Sequence, residues 1–209
     1  MKKIILLPIF LSLSFYTTMA QGKWELKKNE NGIEVYTRKA ASGNLKELRV
    51  ICELEATREQ LISTLKDIDN YNIWVYSNKK SVILKTEEPD KIIYYTQCHM
   101  PWPLKDRDLI VELNINASPD ILNVVVKGLP DYIPKNDSYV RVPYSLAVWK
   151  VTDGPDNKLK VDYTFSVDPG GSVPSWLVNA TLPIGPYNSF MKLREVLKRT
   201  KNTLAKAVF

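Results

Sequence analysis

"SVDPGGSVPSWLVNATLP", residues 166–183, carries the chain from an alternating strand through a tight turn into an apolar helix that a proline soon interrupts. Asp168-Pro169-Gly170-Gly171 makes the turn, because glycine adopts backbone angles that other residues resist. Ser172 supplies a cap for the helix that follows, and Pro174 is tolerated in its first turn. Leu182-Pro183-Ile184-Gly185-Pro186 then breaks that helix. Pro186 opens a second segment with Tyr187, Phe190, Met191, Leu193 and Leu197 along it. The stretch predicts a long C-terminal helix, bent once and swung back across a sheet.

The sheet is written upstream. In GIEVYTRKA, Ile33, Val35 and Thr37 share a side, and in KELRVICELEA so do Leu48, Val50, Cys52 and Leu54. Period two with a polar opposite face marks half-buried antiparallel strands. Thr57-Arg-Glu-Gln60 matches a capping box, and Leu61, Ile62, Leu65 and Ile68 follow at helical spacing, predicting a helix of about three turns before Tyr71 and Trp74. Six more strands follow: SVILKTEE, KIIYYTQCHM, RDLIVELNINA, ILNVVVKGL, YVRVPYSLAVWKVT and KLKVDYTFSVD. Their alternation sets Leu109, Val111, Leu113 and Ile115 on one face, and Leu159, Val161, Tyr163, Phe165 and Val167 on another such face. About eight antiparallel strands, one inserted helix and a covering C-terminal helix make an α+β layer structure. No repeat or linker divides it, so residues 21–209 read as one domain.

Residues 1–20 carry Lys2 and Lys3, an apolar run from Ile4 to Tyr16, then Thr18 and Ala20 at the positions a signal peptidase reads. This predicts an export signal that is removed to release a soluble periplasmic or secreted protein, the run being short for a membrane span of about 20 residues. Removal leaves 27 basic and 23 acidic residues, a net charge of +4. That mild charge and an apolar inner face argue against nucleic acid as a partner. The last stretch, with Lys192, Arg194, Lys198, Arg199, Lys201 and Lys206 against Glu195, reads as a solvated helix face that could also rest on anionic headgroups. Cys52 and Cys98 lie in apolar strands without metal-site spacing and are expected as buried free thiols.

The Trp24 opening with NGIEVYTR, DNYNIW at the end of the inserted helix, Arg107-Asp108, YVRVPY and DPGGSVPSWLVN together resemble the START family of steroidogenic-acute-regulatory-related lipid-transfer domains. The resemblance runs from about residue 24 to 198 and rests on five motifs in order. It implies a helix-grip fold, a curved antiparallel sheet wrapped round the C-terminal helix with a cavity for one lipid or other apolar molecule. It implies carriage by a monomer, with no cofactor and no metal. Only three residues precede Trp24 after the signal, which leaves no room for the N-terminal helix of many members. Where sterol-carrying members have a carboxylate and an arginine in the cavity, the matching positions here are Tyr94 and Leu113, which argues against a sterol.

The ligand-facing residues expected on this basis are Leu109, Val111, Trp149, Tyr163, Phe165, Trp176, Asn179 and Phe190, joined by Tyr95, His99, Trp102, Arg107 and Arg141 as polar or amphipathic contacts. Arg107-Asp108 is also readable as a tie holding the lid, and Arg141 as a paired residue. The lid is assigned to Met100-Pro101-Trp102-Pro103-Leu104, where two prolines stiffen an apolar tip suited to brief contact with a membrane surface, and the hinge to Gly170, Gly171 and Pro183. Trp102 folded inward as packing is the competing expectation. One histidine and no G-x-S-x-G, H-E-x-x-H, phosphate loop or dinucleotide fingerprint leave little for catalysis. The enzyme alternative is a cyclase or aromatase of the same architecture, with His99, Tyr95 and Arg107 as acid-base candidates.

Overall fold

The computed structural model describes residues 22–39, 46–173, 177 and 182–207. The expected export signal, Trp176, Asn179 and most of the helical segment expected before Pro183 therefore lie outside the described residues. Ten strands form one sheet: β1 (Glu25–Glu30), β2 (Ile33–Lys39), β3 (Lys46–Leu54), β4 (Asn78–Glu88), β5 (Lys91–Cys98), β6 (Arg107–Ala117), β7 (Leu122–Gly128), β8 (Val140–Arg141), β9 (Tyr144–Asp153) and β10 (Leu159–Asp168). The order across the sheet is β1-β2-β3-β10-β9-β7-β6-β5-β4 with every pair antiparallel, and β8 runs parallel to β6 off this path. Helices α1 (Arg58–Lys66), α2 (Tyr71–Trp74) and α3 (Ile184–Ala207) accompany it. This is the expected curved sheet covered by a C-terminal helix.

The expected elements recur with three differences. An additional strand, β1, precedes the first one expected, turned back on β2 through Asn31 and Gly32, whose φ angles of 52° and 63° suit a type I′ hairpin. YVRVPYSLAVWKVT is split into β8 and β9 at Pro143, which has no N–H to give a ladder. The inserted helix is shorter than three continuous turns: after the capping box of Thr57 and Gln60, α1 stops at Asp67, whose ψ of 62° is not helical, and a 3-10 turn leads to α2. The Tyr71 hydroxyl donates to the Leu65 carbonyl and closes the break.

Cross-strand register places the apolar residues of successive strands on one concave face, and that face divides into two zones. Where β10 begins, Leu159 pairs with Leu54 and Val161 with Cys52 and Val151, while Leu122 of β7 faces Val151. Against this zone α3 lays Leu193 and Leu197 and α1 lays Leu61, all 0–1% exposed. The zone is solid core. Toward the other end of the sheet the inward side chains are Tyr94, Thr96, Leu109, Ala147, Tyr163 and Phe165, which line open space, with Phe190 of the C-terminal helix reaching Tyr163 at 5.5 Å across it. Arg194 fixes the helix to the sheet by donating to the carbonyls of Asn31, Gly32 and Glu53.

Candidate functional site

Between that second zone and the start of α3 lies a hollow of about 1440 Å³. Strands β5, β6, β7, β9 and β10 give it Tyr94, Val111, Val126, Trp149 and Tyr163, and α1, α2 and α3 close it with Leu65, Trp74 and Phe190. Aromatic rings brace the wall: Trp149 meets Tyr163 edge-on at 4.8 Å and Phe190 at 5.1 Å, and Tyr71 stands edge-on to Tyr94 at 5.5 Å. Burial pushes the phenols of Tyr94 and Tyr163 well above their ordinary pKa, so both stay neutral. Cys98 lines the hollow and Cys52 is buried in the core; both are free, with pKa values raised by burial to about 11 and about 12. Neither is a reactive thiolate.

Of the expected ligand-facing residues, Leu109, Val111, Trp149, Tyr163, Phe165 and Phe190 all line the hollow. His99 stands at its rim, largely exposed, with Nδ1 3.1 Å from the Asp106 carboxylate. Tyr95, Arg107, Arg141 and Trp102 are corrected: none belongs to the wall. Tyr95 follows Tyr94 in β5 and therefore projects from the opposite face, where its hydroxyl accepts from Gln97 Nε2 at 3.0 Å. Arg107 is buried and gives its guanidinium to three carbonyls, of Lys105, Pro169 and Gly170, tying the strand to the glycine turn. Arg141 grips Asp108 through two bonds, of 3.0 and 2.9 Å, with the two side chains 3% and 1% exposed. Trp102 is 92% exposed, which excludes its packing inward. His99, Tyr95 and Arg107 accordingly share no site, and the acid-base set of the cyclase alternative does not assemble.

In the lid stretch, Met100 and Pro101 line the mouth whereas Leu104 is half-buried away from it. Gly170 and Gly171 line it too, with φ of 67° and 63°. A side chain on Gly170 would come within 3.0 Å of Pro143 and 3.2 Å of the Arg141 carbonyl, so the turn needs glycine for both conformation and space. Pro183, named as a hinge, is absent from the lining, which takes its neighbours Leu182 and Gly185 instead. Tyr94, which the resemblance placed at a cavity position, lines the hollow, whereas sequence reasoning missed Thr96, Cys98, Trp74, Asn78, Ser145 and Ala147. Thr96 and Cys98 are within reach of alternation, since Tyr94 pairs with Val111 and they take the same face.

The loop that carries Trp102 is held by Asp106, whose carboxylate accepts from Lys79 Nζ at 2.9 Å, the Met100 N–H at 2.9 Å and His99. The Lys79 bond first, then the Met100 N–H, hold its pKa down at about 2. Because the folded value lies below the unfolded value of about 3.9, the stabilisation is complete above that value and is lost as pH falls toward 2. Asp106→Asn is expected to cost about 1 kcal/mol at pH 6, and the gap to the parent to close between pH 4 and pH 2, as read by denaturant unfolding at each pH.

Comparison with known proteins agrees with this geometry. The START domain model matches residues 16–203. An uncharacterized protein of Pseudomonas aeruginosa is 28% identical over 179 residues, covering 84% of this chain and 87% of its own length. The phosphatidylcholine transfer protein of Mus musculus is 24% identical over 186 residues, covering 86% of this chain and 84% of its own. Among solved structures, the STAR-related lipid transfer protein of Xanthomonas axonopodis superposes with a TM-score of 0.77 at 30% identity, over 84% of this chain and 98% of that one. Human STARD10 gives 0.72 at 21% identity, over 88% of this chain and 77% of that one. With the curved sheet, the covering helix and the hollow between them, these matches establish that the chain belongs to the START domain family.

Proposed function

We propose that the chain takes up one lipid or similarly apolar molecule in this hollow and carries it unchanged. One observation carries the reading: an aromatic and aliphatic hollow of about 1440 Å³ between sheet and helix. At about 24 cal/mol per Å³ a dry cavity of that size would cost on the order of 35 kcal/mol, beyond the total stability of about 5–15 kcal/mol of a typical domain. The space is therefore filled in solution, and a guest that replaces water there adds about 0.8 kcal/mol per buried methylene. The names of the lipid-transfer relatives support the same reading. Catalysis is not part of it, because His99, Tyr95 and Arg107 do not converge on the hollow. Native mass spectrometry of the purified protein, followed by organic extraction, is expected to find one apolar guest per chain; a bare chain that also fails to take lipid from vesicles would overturn the proposal.

The proposal includes export and loading at a membrane surface by the monomer. The Lys2-Lys3 pair and the apolar run after it support export, to the periplasm or beyond. Exposed Trp102, Tyr76 and Ile184 support contact with an interface, where an indole keeps its N–H wet and its ring in lipid. Tyr76 stands directly over Gly185, at the start of the helix. Trp102→Ala is expected to slow lipid exchange with vesicles by roughly tenfold, the effect of about 1.4 kcal/mol of lost interfacial binding, and to leave the melting temperature nearly unchanged. An unaltered exchange rate would remove this loop as the door.

A further inference from the structure

Away from its rim, the hollow carries its free polar groups at the inner end. Followed inward from the mouth at Gly170 and Gly171, the last residues to line it are Tyr94 on β5, Trp149 on β9 and Tyr163 on β10. The next inward-facing positions on the latter two strands, Val151 and Val161, are solid core. Tyr163 and Trp149 are direct partners on adjacent strands, with ring centroids 4.8 Å apart. Tyr94 faces the same space: after burial, the neighbouring Tyr163 phenol is the next cause that raises its pKa. Five residues of extended strand, about 17 Å, separate Tyr163 from Asp168 at the mouth. The wall between carries Leu109, Ala147, Phe165 and Val167, and Thr96 there spends its hydroxyl on Asn78 and Ser81.

Tyr163 and Trp149 each bring a hydrogen-bond donor that the protein leaves unused. Among the described residues, the unpaired polar atoms shut away from water are Asn78 Oδ1 and Ser145 Oγ. The Tyr163 hydroxyl and the Trp149 indole N–H have no partner among the described residues either, yet they are not shut away, so both open into the hollow they line. In a water-filled hollow, water satisfies both. A guest that expels the water must offer an acceptor in exchange, since a buried donor left unpaired costs the full desolvation of the group. An indole N–H donates and cannot accept, so the pair calls for lone pairs without a surplus proton. It also calls for them without charge. The charge-bearing lining residues Lys39, His99 and Asp168 belong to the rim, and an anion at the inner end would be desolvated with no counter-charge.

We infer that Tyr163 and Trp149 form a carbonyl-binding subsite, and that the guest is an uncharged acyl ester held with its ester group at the inner end and its hydrocarbon running out toward Met100 and Pro101. A carbonyl oxygen has two lone pairs and no proton, which matches two donors; a carboxylate brings a charge, and an ether oxygen is the poorer acceptor. The inference rests on the proposed carriage and specifies its ligand.

Methyl oleate, oleyl methyl ether and oleate test it, each delivered from methyl-β-cyclodextrin at pH 8 to the full chain stripped of its guest. The ester and the ether differ only in the carbonyl, and oleate is ionised at that pH. Methyl oleate is expected to bind at least tenfold more tightly than either of the others. Tyr163→Phe, which removes one hydroxyl, is expected to bring the ester-to-ether ratio down to about threefold, and Trp149→Phe to lower it likewise. A role in packing alone would weaken ester and ether together and leave their ratio where it was. The two variants are independent, so if one fails to fold the other decides. Equal affinity for ester and ether, tighter binding of oleate, or a ratio that neither variant moves overturns the inference and leaves carriage standing. Uptake of none of the three also overturns it, and the copurified guest then decides separately whether carriage holds.

Discussion

Replacing Arg141 by methionine is expected to lower folding stability by about 3–5 kcal/mol, a drop in melting temperature of roughly 6–20 °C for a domain of this size. The substitution leaves the Asp108 carboxylate, 1% exposed, without its cation. It also removes the donor to three carbonyls, of Pro130, Ile133 and Pro134, in the segment that joins β7 to β8. An uncompensated buried charge is among the few single changes with so large a cost, and Asp108→Leu together with Arg141→Met should recover part of it, because the charge then goes with its partner. The prediction separates two roles for the same arginine. If Arg141 held the guest, its loss would empty the protein and spare the fold; as an internal tie, its loss weakens the fold while the folded fraction keeps its guest. Thermal unfolding combined with guest stoichiometry reads both, and a melting temperature within 2 °C of the parent would defeat the assignment.

Arg141 also marks the limit of what periodicity can convey. Leu109, Val111, Trp149, Tyr163, Phe165 and Phe190 were legible as cavity residues because alternation, or helical spacing, assigns a side chain to a face, and the face decides whether it meets the helix. Polar residues inside strands obey the same alternation, but whether they meet ligand or protein depends on which loops return to them. Arg107 and Arg141 are claimed by carbonyls from the 129–134 and 169–170 segments, far from them in the chain or bent back on them. The error at Tyr95 has a different origin. In KIIYYTQC both parities are apolar, Ile92 with Tyr94 and Ile93 with Tyr95, and only the pairing of Tyr94 with Val111 breaks the tie. β1 escaped notice because ELKKNE is an edge strand with nearly every side chain exposed, leaving no apolar alternation to read. The hollow itself leaves no mark in the pattern, since a residue lining a cavity and a residue in solid core are both simply apolar and inward-facing.

That last ambiguity is open to a direct test, because solid core and hollow respond to added volume with opposite sign. Val111→Trp combined with Ala147→Trp places two indoles on the concave face, Ala147 lying across the ladder from Phe165 and from Val126. In close-packed interior such changes force side chains off their rotamers and cost about 1–3 kcal/mol each. Here the rings enter a space of about 1440 Å³, where they bury apolar surface that would otherwise face water. At about 25 cal/mol per Å² the protein stripped of its guest should therefore be stabilised by about 2–4 kcal/mol. The same rings exclude the guest, so uptake of any lipid should fall by more than about 100-fold, as expected when binding loses roughly 3 kcal/mol. Unfolding of the stripped protein and lipid uptake from vesicles measure the two effects independently. A double variant that unfolds more easily than the stripped parent would mean that Val111 and Ala147 sit in solid core. One that is stabilised yet still loads normally would place the guest elsewhere.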